Sequence, residues 1–349
     1  MLRRCLLFLI LTSQLGCAQE FYTCLAFSPD GRHLAAGRSD GLLHVWEMPF
    51  RQRFRHVPQM ADSPIYEVAW YGTDTVLCRG LNQAGPFLTW SKVKKLFRFP
   101  ANHEGVCGAF SPDGKLLLTD SRDKITIWEI HFGKQVCDIE FPTSRGSQYQ
   151  FSPDCKRVAV SRDTAVVVFD AATGKRVSKL KKDAVFAVTD LAFTPEGTLL
   201  THDKHAVREW NVETGVEVSD LGRGYSFAYS DHLLLSADGR GVLASGSTDD
   251  GWKTQYWPDR KDENRRRELP GYAVAFLPGG GAICSDWGEQ GVATLTVHRE
   301  GQPPVKVELP GLDSPVTERM ALSPDGKLLV YACGASDELK WVTLPSTHE

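Results

Sequence analysis

Apolar positions along the chain alternate with polar ones in short runs, and the runs fall into a repeating order. A first run such as Tyr22, Cys24 and Ala26 places every second residue on one side, the period of a strand with one buried face. A five-residue phrase follows: an aromatic or leucine, then Ser/Thr, Pro, Asp/Glu and Gly. Its chemistry is that of a tight turn: proline presets φ, aspartate binds nearby backbone, and glycine accepts positive φ. A second apolar run comes next, as in Leu116-Leu117-Leu118. A polar hairpin containing aspartate then leads into a third strand that ends in an aromatic.

The phrase occurs as Phe27-Ser28-Pro29-Asp30-Gly31, Phe110-Ser111-Pro112-Asp113-Gly114, Phe193-Thr194-Pro195-Glu196-Gly197 and Leu322-Ser323-Pro324-Asp325-Gly326. In Phe151-Ser152-Pro153-Asp154, Cys155 replaces the glycine. Weaker copies are Leu235-Ser236-Ala237-Asp238-Gly239, Phe276-Leu277-Pro278-Gly279-Gly280 and Trp70-Tyr71-Gly72. The third position of each phrase falls at 29, 71, 112, 153, 195, 237, 278 and 324. That spacing is the roughly 40–45 residues of a four-stranded propeller blade. The expected aromatic of the third strand is Trp46, Trp90, Trp128, Phe169, Trp210, Trp257 and Trp341, with Val297 in the seventh unit. Large rings at one place per repeat fill the layer between adjacent sheets.

These features resemble the WD-repeat family over essentially the whole chain. The resemblance rests on the Ser-Pro-Asp-Gly turns, the polar hairpins and the pairs Trp46-Glu47 and Trp128-Glu129, with Phe169-Asp170 and Trp210-Asn211 as variants. The family's Gly-His dipeptide is missing; only Asn102-His103 stands in a comparable place. The family's hydrogen-bonded Asp-His-Ser/Thr-Trp set is therefore expected at most in the third unit, from His103, Thr119, Asp123 and Trp128. The expected fold is all-β: a single β-propeller of four-stranded antiparallel blades. Eight blades are favoured, with seven as the alternative if the weak second unit is dropped. That unit still supplies four strand candidates, at residues 65–70, 75–78, 87–90 and 95–99.

The propeller is expected over residues 21–349, after a separate segment at 1–20. Met1-Leu2-Arg3-Arg4, an apolar stretch at 6–11 and Gly16-Cys17-Ala18 read as a signal peptide cleaved near residue 18. Residues 9–12 also lie at about the right distance before the first turn to supply the outer strand that the last unit lacks. Both readings stay open. The stretch is too short to span a bilayer as a helix.

Composition narrows the function. With 24% charged, 42% hydrophobic and 10% aromatic residues the chain can bury a large core. A formal net charge of −3 argues against a nucleic-acid or anionic-membrane binder, which would carry a basic excess. The 9 cysteines include no CxxC pair, and several lie in apolar runs, so zinc ribbons and redox motifs are unsupported and free thiols point to the cytoplasm. Export through residues 1–18 is the alternative.

Chemistry-bearing constellations are few. His202 and His205 flank Asp203-Lys204 in a hairpin, where turn polarity outweighs metal binding. Gly279-Gly280-Gly281 has no helix after it to hold phosphate. Arg265-Arg266-Arg267, with Arg260 and Lys261 nearby, is interrupted by Asp262, Glu263 and Glu268 and reads first as a solvated edge. Innermost segments are mostly neutral, with Asp190 an isolated acid. No catalytic residue, metal or cofactor is expected.

The expected interaction face comprises the second-to-third-strand hairpins and the loops leading into each blade. Arg38, Asp40, Arg122, Asp123, Arg162, Asp163, Asp203 and Lys204 fall in the hairpins, and Arg145, Phe186 and Tyr225 in the loops. Turn bracing is the favoured reading of the aspartates. The function these features point to is a monomeric, non-catalytic scaffold for a protein partner. A propeller enzyme with a central metal or cofactor, or an exported cell-envelope propeller, is the alternative.

Overall fold

The computed structural model describes residues 20–49, 52–57, 64–73, 75–80, 88–91, 106–121, 123–130, 132–143, 147–181, 187–203, 206–223, 229–248, 251–287, 293–312, 319–333 and 338–345. These form eight antiparallel sheets and one short 3₁₀ turn, Glu263–Arg265. Six sheets have four strands in simple consecutive order, and the second and eighth have three described strands. The candidate strand at 95–99 lies outside the described residues, as does the segment at 1–19.

Each sheet is one repeat unit. Unit five shows the pattern: Asp190–Phe193, Leu199–His202, Ala206–Trp210 and Glu217–Arg223 pair in succession. First strands of neighbouring units meet, for example Asp190–Phe193 with Tyr229–Leu235 of unit six, so the first strands are innermost. Tyr22–Phe27 of unit one likewise meets Met320–Leu322 of unit eight, which closes the ring.

Eight apolar clusters hold the ring, one between each pair of adjacent sheets. The closing cluster packs Tyr22, Leu34, Ala36 and Trp46 of unit one against Ala321, Val330 and Ala332 of unit eight. The repeated aromatic faces the preceding unit. Trp210 lies against unit four and Trp257 against unit five, both buried. Third and fourth strands slip register at this ring in units one, three, four and five, a bulge that makes room for it.

The last two units correct the expected aromatics. In unit seven Ala282 pairs with His298, and in unit eight Leu329 pairs with Val342, so His298 and Val342 occupy the position that faces the preceding sheet. Val297 and Trp341 lie one residue away, on the opposite face, and Trp341 is 55% exposed. Strand side chains alternate, so a one-residue slip reverses the face. The turns of units five and seven are one residue shorter, closing from Thr194 N–H to the Thr198 carbonyl at 2.9 Å and from Leu277 N–H to the Gly281 carbonyl at 3.1 Å.

The turns between first and second strands form one rim of the ring. The Ser28 hydroxyl donates to Asp30 Oδ1 (2.6 Å), which also accepts the Arg32 N–H (3.1 Å), while Ser28 Oγ accepts the His33 N–H (2.9 Å). The same three bonds recur around Ser111/Asp113, Ser152/Asp154, Ser236/Asp238 and Ser323/Asp325. The serine hydroxyl is the main cause holding Asp30, Asp154, Asp238 and Asp325 below the usual carboxylate range. The turn glycine meets two demands at once. Gly239 has φ +72°, and a Cβ there would stand 2.3 Å from Pro195 Cδ of the preceding unit's turn. Gly326 stands in the same way against Pro278.

Candidate functional site

The opposite rim is formed by the second-to-third-strand hairpins and the starts of the first strands. The expected site residues divide there by burial. Arg38 is 4% exposed: its Nε and Nη2 donate to Asp40 Oδ1 (3.2 Å) and Oδ2 (2.8 Å), and it also pairs with Glu20 and lies 5.9 Å from the Tyr22 ring centroid. Asp203 is 1% exposed, accepting the Ala206 N–H (2.9 Å) and Arg208 Nη1 (2.8 Å). Both sets brace their hairpins. Asp123 is exposed, as are Arg162 and Asp163, which approach each other at 3.8 Å. Asp163 takes a positive φ of 52°, and its carbonyl accepts the Val188 N–H at 2.8 Å. Arg122, Arg145, Phe186, Lys204 and Tyr225 lie outside the described residues.

Two further readings gain detail. Trp128 Nε1 donates to Thr119 Oγ1 (2.8 Å) as expected for unit three, but Trp210 Nε1 makes the same bond to Thr201 (2.9 Å) in unit five. Unit five shows only the Thr–Trp part of the set, and His103, which the full set in unit three requires, lies outside the described residues. The Thr–Trp bond forms because both residues face one way on paired strands. In the basic run, Arg265 pairs with Glu300, and Arg267 lies 3.7 Å from the same carboxylate, tying the edges of units six and seven.

The Asp190 neighbourhood is the feature that the sequence reading missed. Asp190 begins the first strand of unit five, and His232 stands one repeat later in unit six. His232 Nδ1 is 3.7 Å from Asp190 Oδ2. Asp190 Oδ1 accepts the Leu191 N–H and Oδ2 the Leu233 N–H, each at 2.8 Å, so the carboxylate fastens two units together. His202, directly opposite Asp190 in the ladder, is 2% exposed, and its Nδ1 has no hydrogen-bond partner. The His232 ring stacks on Tyr272 of unit seven (5.8 Å, 8°), and Trp252 meets Tyr272 edge-on (5.0 Å, 86°). The group therefore spans three units along the channel wall. The signal was present in the repeat itself: equivalent positions of adjacent units are neighbours in a ring.

Burial sets the charge states. Desolvation raises Asp190 to about 6, although two backbone N–H groups oppose it. Desolvation pushes His202 down to about 4 against the pull of Asp203, and it lowers His232 too. Near pH 7 the corner holds one carboxylate and two neutral imidazoles. Among the described residues no three His, Cys, Asp or Glu side chains are grouped to hold a metal ion, and no helix is long and apolar enough to cross a membrane.

Eight radial sheets with buried inter-sheet rings define a β-propeller. Residues 12–47 match the family model described as WD domain, G-beta repeat. A BTB/POZ domain and WD-repeat protein of Acanthamoeba polyphaga mimivirus is 26% identical over 110 residues, covering 31% of this chain and 22% of that protein. Protein HIR1 of Kluyveromyces lactis is 28% identical over 255 residues, 64% of this chain and 26% of its own length. The chain thus spans about a quarter of each of these relatives. The crystal structure of the computationally designed Ika8 protein superposes with a TM-score of 0.67 at 18% identity, covering 93% of this chain and 97% of that one. The protein is a β-propeller, and its first unit is similar to the WD domain repeat.

Proposed function

We propose that this propeller is a monomeric, non-catalytic scaffold that binds a protein partner through the rim carrying Asp123, Arg162, Asp163 and the Asp190 corner. The observation that carries the reading is the contrast between the rims. One repeats a single self-satisfied turn in five units, while the described hairpins of the other carry different charged side chains, Arg38 and Asp40, Asp123, Arg162 and Asp163, and Asp203, on a stiff frame. The undescribed Arg122, Arg145, Phe186, Lys204 and Tyr225 are proposed to belong to the same face. Net charge −3 speaks for a protein rather than a nucleic acid. The kinship with WD-repeat proteins supports a general interaction role. The proposed compartment is the cytoplasm, with residues 1–20 serving as the outer strand of unit eight or, if exported, as a signal.

Affinity capture with the full chain tests the reading. Binding should be retained by Asp154→Ala on the repeated rim and lost by the combined Asp123→Ala, Arg162→Ala, Asp163→Ala variant. Loss with the first and not the second overturns it. Intact mass from the native cell, with and without thiol alkylation, tests the compartment. An uncleaved chain with nine alkylated thiols fits the cytoplasm, and removal of residues 1–18 establishes export.

A further inference from the structure

Among the described residues, Asp190 is a carboxylate in a corner that offers it no lysine or arginine. Its oxygens accept two backbone N–H groups, and among the described residues no lysine or arginine pairs with it. The nearby His232 is kept neutral at pH 7 by its own burial. A desolvated charge without a counter-charge is costly, and elsewhere in this ring such charges are paired: Arg260 with Glu209 and Glu196, Arg208 with Asp203. Asp190 keeps 24% of its side chain accessible, so the missing charge can arrive from outside.

We propose that Asp190 seats a guanidinium or ammonium side chain presented by the protein partner at the channel mouth. The inference rests on the scaffold reading and names the chemistry of its central contact. His202, opposite Asp190 in the ladder, is buried and held neutral near pH 7, so it brings no positive charge to the corner. Tyr272 and Trp252 extend the same inner wall, with the Tyr272 ring stacked on His232 and meeting Trp252 edge-on. Across the ring Arg319 of unit eight lies over the Phe21 ring at 5.0 Å, so the mouth is not acidic all round and a cation is directed to units five and six. Arginine, with its planar fork of donors, fits a carboxylate.

The test uses the full chain and four peptide pools with randomised flanks and a central Arg, Lys, Ala or Glu, read by fluorescence anisotropy. The Arg or Lys pool should bind at least ~10-fold tighter than the Ala and Glu pools. Asp190→Asn should abolish that preference, and Asp154→Asn on the repeated rim should keep it. Equal binding of all pools, or a preference that survives Asp190→Asn, overturns the inference while leaving the scaffold reading to the capture experiment. A measurement on the unaltered protein guards against misfolding of the variant. Titrated by carboxyl NMR with N-acetyl-arginine amide, Asp190 should fall from about 6 to below ~5, because a bound cation favours the ionised form. An unchanged midpoint at saturating N-acetyl-arginine amide overturns the inference as well.

Discussion

The two rims are built from the same residue types and use them in opposite ways. On the rim of Ser-Pro-Asp-Gly turns, each aspartate accepts a serine hydroxyl and a backbone N–H, and its pKa is lowered. On the other rim Asp190 also accepts two N–H groups, yet its pKa is raised. Hydrogen bonding is comparable; solvation is not. The turn aspartates stand in water at the periphery, whereas Asp190 is flanked by two inner strands. A carboxylate in the first setting completes a local turn, and in the second it holds unspent electrostatic potential. The lesson is that the repeated rim maintains the ring and the varied rim is where binding specificity can reside.

The strongest test of this division removes a buried charge from the repeated rim. Arg260 joins Glu209 (3.3 Å) and Glu196 (3.0 Å) of unit five to its own unit six and also donates to the Gly239 carbonyl. Arg260→Ala leaves Glu209 buried without its cation and should lower unfolding free energy by about 3–5 kcal/mol in urea melts. A loss near zero would mean that the rim is not holding the ring.

The second test is the pH dependence of the other rim. His202 has a folded pKa of about 4, below the unfolded 6.5, so its contribution is present above 6.5 and is lost as pH falls towards 4. Asp190, raised from 3.8 to about 6, works the other way: ionisation disfavours the folded state above 6, and acidification relieves that cost. The two oppose each other between pH 4 and 6.5. Asp190→Asn should therefore lose ~2 kcal/mol on going from pH 7.5 to 5, while His202→Gln should gain ~1 kcal/mol, as read by denaturation at each pH. His232, lowered in the same way, deepens the loss in the first variant and offsets part of the gain in the second. Slopes of the same sign would break the contrast between the rims.

Smaller effects sharpen it. Asp238→Ala removes the acceptor for Ser236 and Arg240 and should cost about 1–2 kcal/mol, whereas the exposed Asp123→Ala should stay within about 0.5 kcal/mol in the same assay. The smallest change concerns Cys155, which holds φ 60° where the other complete turns have glycine. Left-handed backbone costs a side chain about 1 kcal/mol, partly offset by the greater freedom of glycine in the unfolded chain, so Cys155→Gly should stabilise by ~0.5 kcal/mol in a thermal melt.

Much of this was legible beforehand. The turn phrases located every unit, and Ser28-Pro29-Asp30-Gly31 folds as its turn chemistry dictates. The described residues of the expected face divide by burial: Arg38 and Asp203 turned inward to brace hairpins, while Arg162 and Asp163 stayed outside. Nothing local distinguishes these cases, because burial depends on what the neighbouring strand brings. The final aromatics slipped by one residue for a related reason. Trp341 matches the pattern in spacing, but strand register put Val342 in the inter-sheet layer.

The sequence alone determined the period, the turn at each repeat and hence the propeller, since these depend on residues within a few positions of one another. Tertiary structure decided which repeats touch across the ring and how deeply each charge is buried. That is why Asp190, isolated along the chain, meets His232 one repeat later, and why Gly239 must make room for Pro195. Solvation and inter-unit contact are sums over surroundings that close only when the ring does.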